Sequence, residues 1–215
     1  MTNQQYDSLE NISPRKLKRK SSKKRNLEIL EATRVMLSEK GYDKLSLRKI
    51  AVITGIHLKT LQHYFPTKEI LIKSTLEYVI SLYDKKVQEI STHSSDPEKN
   101  FKNYIKYLIE DTKNIQTAGF FYQLWAMSHV DEKTNNIMNK MYLDHTNNIE
   151  KLIETLNPDM GNHMRKHRAV MISALIEGMM LFVGYGKKRP KNTAHIETEI
   201  VALCTNLAIN NDSLS

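Results

Sequence analysis

The chain holds 215 residues, 40% of them hydrophobic and 26% charged, which suffices for a packed core and argues against global disorder. Seven glycines, five prolines and one cysteine exclude collagen-like, sandwich and disulfide-stapled chains and any Cys-based zinc cluster, and they favour helices. The net charge of +8 is uneven. Residues 1–25 carry 8 basic and 2 acidic groups, residues 26–68 carry 7 and 4, and the remainder is close to neutral, so a polyanion partner is expected for the N-terminal third.

Residues 1–22 show no apolar period and contain the run RKLKRKSSKKR, which reads as a flexible basic arm. From Lys23 a helical pattern begins, with Ile29, Ala32, Thr33, Met36 and Leu37 on one face and Gly41 as a left-handed stop. Ser46 is placed to cap a second helix, with Leu45 and Ile50 as a hydrophobic staple. That helix is short and ends at Gly55. A third runs from His57 to about Phe65, where Pro66 and Thr67 mark a stop and a new cap. A long helix is expected from Lys68 to about Ile90. Asp96-Pro97-Glu98 then reads as a helix start, and helices are expected at 97–116, 119–130, 133–156, 162–185 and 194–210. No strand and no repeat of 20–50 residues is legible, so the expected fold is all-α.

One stretch imitates a membrane span. Residues 169–186 are almost wholly apolar, but Glu177 sits at the centre, where an acid in lipid costs about 2.5–3.5 kcal/mol. The stretch reads as a buried helix instead. The polar, basic N-terminus lacks an apolar signal core, so export is not indicated, and the single cysteine suits a reducing cytoplasm.

The two short helices and their tight turn suggest a helix-turn-helix. Ala51 permits close approach of the second helix, Gly55 takes the bend and Ile56 plugs the small core. Leu61, Tyr64 and Phe65 are expected to point inward. Leu58, Lys59, Gln62 and His63 are then left outward, where polar side chains can reach base edges or phosphates in a major groove. A small helical hairpin of no DNA-binding role uses the same packing, and the adjacent basic arm argues against it.

Residues 24–72 resemble the DNA-binding domain of the TetR family of bacterial transcription regulators. The matching pieces are Ile29-Leu30-x-Ala32, Gly41-Tyr42, Ser46-x-x-x-Ile50-Ala51, Gly55-Ile56, Thr60-Leu61 and His63-Tyr64-Phe65-Pro66-Thr67-Lys68-Glu69-x-Leu71. The resemblance implies that Ser46 caps its helix and bonds a phosphate, that Arg48 reaches a base or phosphate, and that Thr60 and Lys68 bind phosphate. Three positions depart from the family's usual pattern: His57 at a capping position, Lys59 where a small residue is common, and Gln62 in place of a frequent Tyr. Lys59 and Gln62 suit contacts to guanine and adenine respectively. Basic arms ahead of such a motif can enter the adjacent minor groove, with Arg15, Lys16, Lys18, Arg19, Lys20, Lys23, Lys24 and Arg25 as the candidates here.

The expected organisation is a basic arm (1–22), a three-helix DNA-binding domain (23–67) and a larger helical domain for ligand binding and dimerisation (68–215). The resemblance implies a homodimer built by the last two helices, near 162–185 and 194–210. The nearly all-round apolar character of 169–186, with Ala174 and Gly178 four apart, supports this independently. The family usually holds a small-molecule pocket in this domain. Tyr104, Tyr107, Phe120, Phe121, Tyr122, Trp125, Met127 and Met171 are the candidate lining, although such stripes are more often core. Walls of this kind suggest a hydrophobic ligand.

Other chemistries find no support. His163 and His167 are four apart but stand among Arg165, Lys166 and Arg168, and read as exposed side chains rather than metal ligands. There is no Gly-rich phosphate loop, nucleophile elbow or catalytic set, so neither an enzyme nor a cofactor is expected. The expected protein is a sequence-specific repressor, released from a palindromic operator on double-stranded DNA by a small ligand. An architectural DNA-binding protein without an effector is the alternative.

Overall fold

The computed structural model describes residues 14–211, with side chains from Ser22 onward, and among these residues the regular structure is helical throughout. The helices are α1 (Pro14–Lys40), α2 (Leu47–Ile53), α3 (Leu58–Tyr64), α4 (Lys68–Ser91), α5 (Pro97–Asp111), α6 (Ile115–Val130), α7 (Glu132–Leu156), α8 (Asn162–Phe182) and α9 (Ile196–Ile209). A single 3-10 turn, Tyr42–Lys44, follows α1.

Two boundaries differ from the pattern in the sequence. First, α1 begins at Pro14 instead of Lys23, so 14–22 has helical backbone where a flexible arm is expected. The segment lacks an apolar face, but Lys, Arg and Leu are good helix formers, and Pro at the first position has no donor to lose. Residues 1–13 of the expected arm lie outside the described residues. Second, α5 stops at Asp111 rather than 116. Asn114 accepts a bond from the Gln116 backbone N–H at 2.8 Å, and so starts α6 early. Elsewhere the caps are the expected ones. Ser46 accepts from Lys49 N at 3.3 Å, Thr67 from Ile70 N at 3.3 Å and Asp96 from Glu98 N at 2.9 Å.

Packing divides the chain into two cores. In the first, Ile29, Leu37, Leu45, Ile50, Leu61 and Phe65 of the N-terminal helices are continuous with Leu71, Leu76 and Val79 of α4 and with Phe120, Phe121 and Leu124 of α6. A boundary drawn at 67/68 falls inside this core. The second core joins α5, α7, α8 and α9 through Phe101, Tyr104, Ile149, Ile153, Ile172, Ile176 and Leu207, and it encloses Cys204. Burial pushes the Cys204 thiol up to about 12.

Helix α6 lies against α1 at very close range. A Cβ at Gly119 would collide with the Ser38 carbonyl oxygen. Polar contacts frame this approach. Ser38 Oγ donates to Gln116 O at 2.7 Å, Arg34 Nη2 donates to Gln116 Oε1 at 2.7 Å, and the Tyr42 N–H donates to Gln123 Oε1 at 3.1 Å. Gly41, which makes the turn, has φ +79, a backbone conformation that favours glycine. No helix among the described residues is long and apolar enough to cross a membrane.

Candidate nucleic-acid interface and internal chamber

The helix-turn-helix closes as the small residues require. Ala51 is buried beneath α3, the Ile56 N–H donates to Ala51 O at 3.0 Å, and Gly55 turns the chain with φ +65. Leu61 and Phe65 are buried while Tyr64 stays half-buried. Arg48 on α2 and Lys59, Thr60, Gln62 and His63 on α3 are all exposed. His57 precedes α3 without bonding its backbone through the side chain, as the loss of a Ser or Thr there implies. The Ser46 oxygen is occupied as a cap acceptor, but its O–H remains able to donate to a phosphate.

Leu58, Lys68 and Arg25 are each engaged within the chain. Leu58, expected outward, is half-buried and packs on the first core. Lys68 is half-buried, donates to Tyr42 O at 2.8 Å and stands 3.6 Å above the Tyr42 ring, so its ammonium braces the turn after α1. Burial lowers its pKa from the ordinary lysine value. Arg25 pairs with Glu28 at 2.8 Å. Lys23 and Lys24 are exposed, and the side chain of Lys20 lies outside those described.

The helical domain contains a narrow chamber where α4, α5, α6, α7 and α8 meet. Its cavity volume is about 40 Å³. Of the eight expected lining residues, only Phe121 lines it. Tyr104 and Phe120 are buried in the cores, and Tyr107 lies in a separate cleft beside Tyr83. Tyr122 bonds Met180 O at 3.1 Å, Met127 lies in an outer groove beside Tyr42, and Met171 packs on the second core. Trp125 stands behind the wall, donating from Nε1 to the Tyr142 hydroxyl at 2.7 Å.

The walls also carry more charge than the aromatic cluster suggests. Asp84, Asp111, Asp144, His145 and Glu177 line the chamber with Tyr83, Phe121 and Tyr142. Burial pushes the Glu177 carboxyl up to about 7, with the Tyr142 hydroxyl opposing the shift, and burial pushes the His145 imidazole down to about 4. These residues were missed because they lie on four helices. Glu177 alone left a trace in the sequence: one acid inside an apolar helix needs a reason to be there. His163 and His167 are exposed, and among the described residues no group of three or more His, Cys, Asp or Glu could hold a metal ion.

Residues 29–75 match the family model described as "Bacterial regulatory proteins, tetR family". No curated protein matches the sequence. Solved structures share its fold. A TetR-family transcriptional regulator from Syntrophomonas wolfei superposes with a TM-score of 0.70 at 17% identity, covering 90% of this chain and 100% of that one. A TetR-family regulator from Mesorhizobium loti gives 0.69 at 14% identity, with 87% and 94% covered. A transcriptional regulator from Saccharomonospora viridis, in complex with choline, gives 0.66 at 21% identity, with 84% and 95% covered. These likenesses show a shared fold. Residues 29–75 thus match the DNA-binding module of the tetR family of bacterial regulatory proteins, and the described chain shares the fold of solved TetR-family transcriptional regulators.

Proposed function

We propose that the protein is a homodimeric repressor, released from a palindromic operator by a small molecule that enters the chamber between α4 and α8. The observation that carries the reading is the position of α4. Its first turn follows the reading helix directly, while Tyr83 and Asp84 further along it form part of the chamber wall. A ligand larger than the present space must separate α4 from its neighbours, which would turn the reading heads relative to each other. A ligand shifts this balance only by its unequal affinity for the two arrangements. The choline held by the similar Saccharomonospora viridis regulator supports a small-molecule role for this fold.

In this reading Lys59, Gln62 and His63 meet base edges. Thr60, Arg48 and the Ser46 hydroxyl meet phosphates, with Lys23, Lys24 and Arg25 alongside and Lys20 further back on α1. Leu58 orients α3 through packing, and Lys68 holds Tyr42 while its remaining donors face the phosphate path. Residues 23–67 are the reading module and 68–215 the sensing and pairing module. They share a core, so strain in one reaches the other. The dimer forms through α8 and α9, where Val170, Ala174, Leu181 and Phe182 are exposed together and a side chain at Gly178 would meet open space.

Footprinting on the DNA upstream of its own gene tests this. Two protected half-sites about 34 Å apart are expected, on one face of the duplex. Scattered sites without two-fold symmetry would favour the architectural alternative.

A further inference from the structure

The aspartates that line the chamber all have hydrogen-bond partners, and Asp144 has a cation as well. Asp84 accepts from Asn148 Nδ2 at 3.0 Å, Asp111 accepts from Tyr83 at 2.6 Å and from Thr117 at 3.0 Å, and Asp144 pairs with Lys140 at 2.6 Å. Glu177 has no cation. Its Oε2 is shut off from solvent without a hydrogen-bond partner, and the Tyr142 hydroxyl is the group that engages the carboxyl. On α7, His145 Nε2 is also buried and unbonded. Buried polar atoms normally have partners, so two orphans on one small chamber ask for a common explanation.

The chemistry that completes this arrangement is specific. An alkylammonium offers three N–H donors and a positive charge, the complement of a carboxylate whose buried oxygen has no partner. Tyr83, Phe121 and Tyr142 also line the chamber, and aromatic rings attract a cation. A neutral alcohol has one donor and leaves the carboxylate uncompensated. An acid would meet Glu177 and three aspartates. Resting on the effector reading above, we propose that the chamber selects a small protonated organic amine. Glu177 is its counter-charge, His145 Nε2 a second acceptor, and Tyr83, Phe121 and Tyr142 the cage around the first carbons. The neutral state of His145 near pH 7 keeps its ring able to accept.

Trp125, the only tryptophan of the chain, bonds Tyr142 at 2.7 Å, so its fluorescence reports occupancy of the chamber. The full chain is titrated at about pH 8, above the Glu177 value, with butylamine and benzylamine against 1-butanol and benzyl alcohol. Saturable amine binding, roughly tenfold or more tighter than the matching alcohol, is expected. Glu177→Gln should bring that ratio close to one, with circular dichroism melting to confirm the fold. Glu154→Gln, exposed on α7 outside the chamber and paired with Arg165, should keep the preference. Equal binding of amine and alcohol, no saturable amine binding, or a preference surviving in Glu177→Gln would overturn the proposal. So would a preference lost in Glu154→Gln. A parallel gel shift on the upstream DNA separates the two readings. Selective amine binding that leaves DNA affinity unchanged removes the effector role and keeps the amine site, while release by the alcohols alone keeps an effector role and overturns the amine.

Discussion

Two half-buried side chains, His145 and Glu177, each with one atom shut off from solvent, set opposing pH dependences within one chamber. Glu177 has its value raised from 4.5 to about 7, so between those values the folded state binds a proton that the unfolded state does not. Its contribution therefore falls as pH rises through the window. His145 has its value lowered from 6.5 to about 4, so the unfolded state binds the extra proton there and stability rises with pH. Over the shared window the two slopes nearly cancel. Glu177→Gln should expose the histidine, with up to about 3 kcal/mol lost as pH falls from 6.5 to 4. His145→Gln should expose the glutamate, with stability lost as pH rises from 4.5 to about 7. Urea unfolding across that range checks both signs, and parallel curves for the three proteins would contradict the pairing.

At the scale of elements, the contact between α1 and α6 joins the reading module to the chamber wall. Phe121, which lines the chamber, lies two residues beyond Gly119, where α6 touches the backbone of Ser38. Gly119→Ala should cost about 1–3 kcal/mol in unfolding experiments, because backbone rather than a flexible side-chain end stands in the way. The helices themselves were legible where caps punctuate the sequence: Ser46, Thr67, Asp96-Pro97 and Asn157-Pro158 mark ends within a residue or two of those found. The start of α1 was not, since 14–22 offers propensity without periodicity. The reading face was legible because its residues sit within one turn-linked pair of short helices. The chamber was not, because Asp84, Asp111, His145 and Glu177 come from four helices and meet only after packing. The aromatic cluster at 119–125 drew attention along a single helix, whose ring faces are spent mostly on core.

For the whole molecule, the proposed dimer brings two reading heads together. Val170, Leu181 and Phe182 are 58%, 53% and 62% exposed on α8, a row too apolar to be left to water without consequence. Leu181→Glu together with Phe182→Glu should yield a monomer by ultracentrifugation and weaken operator binding at least tenfold, since only one half-site is then held at a time. Deleting residues 1–22 should lower both affinity and its salt dependence, by about 0.9 in the logarithmic slope for each phosphate contact removed. An unchanged slope would speak against a role for the basic segment.

Cys204 is the only thiol in the sequence and lies sealed in the second core with its ionisation strongly disfavoured. The wild-type chain is thus expected to be nearly silent toward maleimide and methanethiosulfonate reagents. A cysteine placed at Lys59 would be the sole reactive point of each copy, and one spin label there would turn the proposed dimer into a ruler. Dipolar spectroscopy would then read the span between the two label sites, before and after an amine is added, without any change to the rest of the protein.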